Sequence, residues 1–219
     1  MSKGFNGKVI VIRPADISLK ISEVAEKIIS GIMESGELDV IGVSEAMFLS
    51  CAATNMATEI AKVYVNEICI DNLEVPILGK IATVSFYLNQ TQTIDFCEAV
   101  KEEESEMERK EEQTISVGRG VKLDKLLTLC LVKFSRFDSL KVIAAGGAMN
   151  EAIILALKLI SGNISKETIG VKLIHLYSIA TRDDPSRKTA AISIFLRKGI
   201  STEYSKRHTE LLKKMKGVY

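Results

Sequence analysis

Strand-like and helix-like patterns along this 219-residue chain run in the order β-α-β-α-β-β, and after a charged stretch the same order returns. Each copy has four strands and only two helices, so the duplication predicts two sheets, each with its own helical cover. The first copy opens on Lys8-Val-Ile-Val-Ile-Arg13, a β-branched run halted by Pro14. Ile21, Val24, Ala25, Ile28, Ile29 and Ile32 then recur at helical spacing, with Ser18 available as the cap. A short strand at 39–42 leads into 46–61, a helical stretch whose only charge is Glu59. Strands at 63–70 and 81–88 finish the unit, joined by a loop, 71–79, long enough to protrude.

The second copy repeats these elements in turn. A strand at 114–117 and Gly118-Arg-Gly120 precede a helix at 121–136, with Leu123, Leu127, Cys130, Leu131 and Phe134 on one face. A strand at 140–145, the Gly146-Gly147 turn and a helix at 148–160 follow, then strands at 171–180 and 189–196 around a polar turn. A last helix is expected at 202–216, with Leu211, Leu212 and Met215 as a thin apolar edge. The fold class is therefore α+β, a two-layer α/β sandwich in tandem plus a C-terminal helix. Its boundaries are an acidic domain at 1–95, a charged linker at 96–113 and a basic domain at 114–219 that includes the last helix.

Charge is unevenly spread along the chain. Residues 1–94 carry 7 basic and 11 acidic side chains, 95–113 carry 3 and 9, and 114–219 carry 19 and 8. A surplus of that size in the last hundred residues is the usual footprint of a polyanion partner, or else a solvated basic surface answering the acidic half. The run from Cys97 to Gln113 has little to bury and reads as a connector, helical or coil.

Several functions find no support in the residues. Cys51, Cys69, Cys97 and Cys130 form no CxxC, and His175 and His208 are the two imidazoles, so neither a metal site nor a disulfide framework is expected. No apolar run of about 20 residues or secretory leader is read, so the expectation is a cytoplasmic protein away from membranes. Gly146-Gly147 lacks the spacing of a nucleotide loop, and no Ser or Cys nucleophile has a recognisable partner. No catalytic role and no cofactor are expected. With 5% aromatic residues and no Trp, stacking on unpaired bases has little to work with.

The element order, the Gly-Gly-Ala-Met-Asn-Glu-Ala152 turn and the basic hairpin tip resemble the Alba family of archaeal DNA- and RNA-binding proteins. The likeness covers both copies and is clearer over 114–198. Gly118-Arg-Gly-Val-Lys122 lies where that family has a Lys-rich turn, and Gly146–Ala152 lies at its Arg-Gly-Arg-Ala-Ile-Ser segment, with glycine replacing the arginine before Ala148. The resemblance implies a nucleic-acid partner, DNA or RNA, and a homo-oligomer or an intramolecular pseudo-dimer.

Two groups of cations are then the candidate nucleic-acid contacts. Arg119, Lys122 and Lys125 surround the start of a helix, where free N–H groups favour an anion; an ordinary exposed basic face fits the same residues. Arg182, Arg187 and Lys188 crowd a turn that also holds Asp183 and Asp184, either an arm for a phosphate backbone or a salt-bridged turn. Lys206-Arg-His208, Lys213 and Lys214 either touch a polyanion or ride on a helix docked through its apolar edge. A reading of another class remains open, an interaction module in which acidic and basic units pair without nucleic acid.

Overall fold

Both copies of the predicted order are present in a computed structural model, which describes residues 8–75, 79–91, 98–102, 105, 113–161, 168–181 and 183–215. In the first copy β1 (Lys8–Ile12), α1 (Ile21–Ser35), β2 (Glu37–Val43), α2 (Met47–Ile60), β3 (Tyr64–Val75) and β4 (Gly79–Asn89) build a sheet in the order β1-β2-β4-β3. In the second, β5 (Thr114–Val117), α3 (Leu123–Phe134), β6 (Ser139–Ala145), α4 (Met149–Ile160), β7 (Ile169–Ala180) and β8 (Lys188–Lys198) give β5-β6-β8-β7. In each sheet the first two strands are parallel and the other pairs antiparallel. The architecture is α+β, two units each centred on a four-stranded sheet. No described helix is long and apolar enough to cross a membrane.

The duplication extends to irregular details. The register slips once in each long hairpin, between Val65 and Glu67 in β3 and between Val171 and Leu173 in β7. A single 3₁₀ turn precedes the second helix of each copy, Ser44–Ala46 and Gly146–Ala148, and both turns begin at positive φ, 54° at Ser44 and 56° at Gly146. Glycine adopts that backbone freely, whereas serine does so under strain.

Local chemistry explains most element ends. α1 stops at Gly36, left-handed at φ 75°, which donates its N–H to the Ile32 carbonyl. Its N-cap is Lys20 rather than the expected Ser18, and Lys122 holds the same place on α3. β3 runs on to Val75, through residues expected in a protruding loop, because Asp71 to Val75 keep pairing with β4. On α3 the buried residues are Leu126, Cys130 and Phe134, with Leu123, Leu127 and Leu131 only half-buried, so the helix is rotated from the expected face.

Unit 1 has a third layer. Leu38, Val40, Val84, Phe86 and Leu88 form the sheet face under α1 and α2. The opposite face is covered by α5 (Lys206–Met215), whose Leu211 and Met215 join Ile41, Val43, Leu73 and Val75 in one buried cluster. By contacts the chain divides into Met1–Gln92 with Tyr204–Tyr219, and Thr93–Glu203. The last helix therefore belongs with the first sheet, not with the second domain as expected. The segment after β4 groups with the second sheet; of the expected linker, residues 98–102 are helical and Val100 is buried, while 96–97, 103–104 and 106–112 lie outside the described residues.

That exchange redistributes the charge. Unit 1 gains the basic tail and holds 12 basic and 12 acidic side chains, and unit 2 gains the acidic segment and holds 17 and 16. The segregation visible along the chain is nearly cancelled within each folded unit.

Candidate nucleic-acid interface

β5 and β6 are parallel, so their C-terminal ends open on one edge of sheet 2, where Gly118–Lys122 and the Gly146–Ala148 turn sit. β8 runs antiparallel to β6, with Ala191 opposite Ala145, and this brings Lys188 and the hairpin tip to that same edge. Topology thus gathers Arg119, Lys122 and Lys125 from one segment and Arg187 and Lys188 from another. Arg182, the sixth predicted contact, lies outside the described residues.

All five are exposed, and among the described residues none of them forms an ion pair. Asp124, Asp183 and Asp184 are the carboxylates beside them in sequence. The Asp184 carboxylate is engaged within the turn, accepting from the Ser186 hydroxyl at 2.6 Å and the Ser186 amide at 3.0 Å. Those hydrogen bonds hold its carboxyl below the ordinary range. Thr181 and Arg187 close the turn through the Thr181 amide and the Arg187 carbonyl at 2.8 Å. The tip is therefore shaped by an Asp–Ser bracket rather than by an ion pair to Arg187.

Arg119 is placed more closely than its loop position suggested. Its guanidinium lies across the Gly146–Ala148 turn, such that a Cβ on Gly147 would stand 2.7 Å from Nη2 and 2.8 Å from Nε. The cation thereby sits by the turn that leads into α4, a helix whose first turn carries Glu151.

The corresponding edge of unit 1 is differently equipped. Glu45 stands where the second copy has Gly147, and Lys80, the counterpart of Lys188, is 4.0 Å from Glu74. Arg13 has Asp16 in its own turn, the carboxylate accepting the Arg13 amide at 2.8 Å. Acidic groups are built into this edge, so it is poorly suited to phosphate.

The tail cations separate into two sets. Arg207 grips Asp39 with two hydrogen bonds, Nε to Oδ1 at 3.0 Å and Nη2 to Oδ2 at 2.9 Å, and reaches Glu37 at 3.3 Å. Its guanidinium also stacks 3.7 Å from the centre of the Tyr87 ring. His208 is buried, with Nδ1 3.0 Å from Ser85 Oγ and Nε2 3.6 Å from Asp71. Both side chains dock α5, which leaves Lys206, Lys213 and Lys214 outward.

Ser85, His208 and Asp71 have the residue types of a hydrolytic triad, and sequence spacing gave no hint of the grouping. The space there, lined by Asp39, Cys69, Ser85, Tyr87, Arg207 and His208 among others, is small, with room for about one water, about 10 Å³. Such a network anchors α5 on the sheet. Cys51 and Cys130 are buried small hydrophobes, as expected, and burial pushes both thiols up to about 12. His175 stacks on Tyr177 on the sheet face, ring centres 5.0 Å apart. Among the described residues no group of His, Cys, Asp and Glu could hold a metal ion.

No protein-family model and no curated protein matches the chain.

Proposed function

We propose that this chain is a non-catalytic, cytoplasmic nucleic-acid-binding protein of Alba-like repeats, contacting DNA or RNA through backbone phosphates at one edge of unit 2. In this reading the two repeats stand in for the subunits of a homodimer, or assemble further with other copies. The observation that carries it is local: Arg119, Lys122, Lys125, Arg187 and Lys188 converge from two stretches of the chain, and no described carboxylate forms an ion pair with any of them. The net charge of the unit adds little support, because the acidic segment after β4 offsets it. The interaction-module reading loses its electrostatic basis for the same reason, since each unit already carries its complement.

Titrating the full chain against short labelled duplex DNA and RNA at several salt concentrations tests the proposal. Binding should weaken linearly on a log–log plot, with a slope of about 0.9 for each phosphate neutralised on duplex DNA. Arg187→Ala with Lys188→Ala should lower that slope by about 2 and weaken all sequences alike, as removal of phosphate contacts does. Lys213→Ala with Lys214→Ala, on the other unit, should leave it nearly unchanged. Absence of binding to either duplex at low salt would reject the proposal in favour of an interaction module.

A further inference from the structure

The two glycines of the β6–α4 turn are kept free of side chains by different constraints. Gly146 sits at φ 56°, and the first copy meets the same backbone demand with Ser44. Gly147 is outside that region of positive φ, so its backbone would accept an ordinary residue. The space its side chain would fill is taken by Arg119, whose Nη2, Nε and Cζ lie 2.7, 2.8 and 3.1 Å from the position of a Cβ. The first copy has Glu45 at this place and a proline, Pro14, after its own loop arginine.

We propose that Gly147 is a positioning residue: the bare turn seats the Arg119 guanidinium flat against the start of α4, and so directs one phosphate contact in unit 2 alone. The inference rests on the phosphate-binding reading above and identifies the contact that Gly147 governs. A planar guanidinium can lie on a peptide plane only where no Cβ lifts it away. Seating the long side chain in advance also removes part of the ordering cost that each phosphate contact otherwise carries. The crowding atoms belong to the far end of a flexible side chain, not to backbone, so alanine at 147 displaces Arg119 and leaves the fold alone.

The experiment uses the full chain, and whichever labelled duplex it binds more tightly, in a salt series. Gly147→Ala should reproduce Arg119→Ala, each lowering the log–log slope by about 0.9. Across a fourfold rise in salt, from about 50 to about 200 mM, either variant should then lose about 3.5-fold less affinity than the parent. The double variant should match Arg119→Ala alone, and Gly147→Ala should melt with the parent. Four results overturn the proposal: a parental slope for Gly147→Ala beside a reduced one for Arg119→Ala; a further loss in the double variant; unfolding of Gly147→Ala, which would assign the space to packing; or a parental slope for Arg119→Ala. In each of these the parent still binds, so the broader reading stands. A parent that binds neither duplex overturns both.

Discussion

Arg207→Met is expected to destabilise unit 1 by about 3 kcal/mol, the lower end of the range for removing one partner of a buried ion pair. Asp39 is 2% exposed and the Arg207 side chain 19%, so the variant leaves a carboxylate inside the sheet–helix interface with no cation to meet it. Methionine keeps the aliphatic stem, so the loss reports what the guanidinium does, its bonds to Asp39 and Glu37 and its stack on Tyr87. Adding Asp39→Val should recover most of the stability, because two apolar groups of suitable shape replace such a pair at little cost. Backbone hydrogen exchange along β2 and β3 resolves the effect to this unit. Equal protection in the single variant and the parent would show that α5 is not held by this pair.

The same variant has a pH signature. Burial already raises the Asp39 carboxyl above its ordinary 3.8, and Arg207 is the main influence lowering it again. Removing Arg207 leaves burial unopposed and raises the carboxyl further. A group whose folded-state pKa lies above its unfolded value contributes stability that is complete below the unfolded value and is lost as pH rises through the folded one. The deficit of Arg207→Met should accordingly shrink on acidification toward pH 4 and be largest at neutral pH. A deficit independent of pH, or one that grows on acidification, would mean that Asp39 is not the group left unpaired.

Element order was readable from the sequence because each hydrophobic period is local: β-branched runs for strands, three- and four-residue spacing for helices. The convergence of Arg119 and Lys188 was readable only through the family resemblance, since it depends on strand order, which periodicity does not report. The seat of Arg119 on Gly147 had no local signal beyond an unexplained second glycine. The place of the last helix was misassigned for a physical reason. Arg207 and His208 look like solvent-facing cations on a basic helix until their acceptors, Asp39, Glu37, Ser85 and Asp71, are brought in from strands more than a hundred residues away. A signal was nevertheless present. β2, Glu37-Leu-Asp-Val-Ile-Gly-Val43, is apolar on both faces toward its end, the mark of a strand covered on both sides, and two helices cannot supply both covers. The net charge of the tail misled in the same way, because it was counted with the repeat it follows and not with the sheet it covers.

Leu155→Glu is expected to unfold unit 2. Leu155 lies off the face of α4 that carries Met149, Ala152, Ile153 and Ala156, and sequence alone leaves it as a surface for another subunit or repeat. Within a single chain, however, it is already fully buried, as are Leu157 and Leu159. Truncation to alanine removes packing and opens a cavity at about 2–5 kcal/mol. Glutamate places a carboxylate where the side chain is fully buried, a further cost of several kcal/mol, and the total approaches the whole stability of a typical domain. Leu155→Met, which conserves volume, should cost less than about 1.5 kcal/mol. Because α4 carries the Gly146–Ala148 turn at its N-terminus, the two milder variants should keep the parental salt slope, while the glutamate variant should lose nucleic-acid binding together with exchange protection in β6 to β8. A Leu155→Glu chain with parental protection would show that α4 can turn this residue to solvent, and a protected chain of reduced mass in solution would assign Leu155 to an interface between copies instead of to the core.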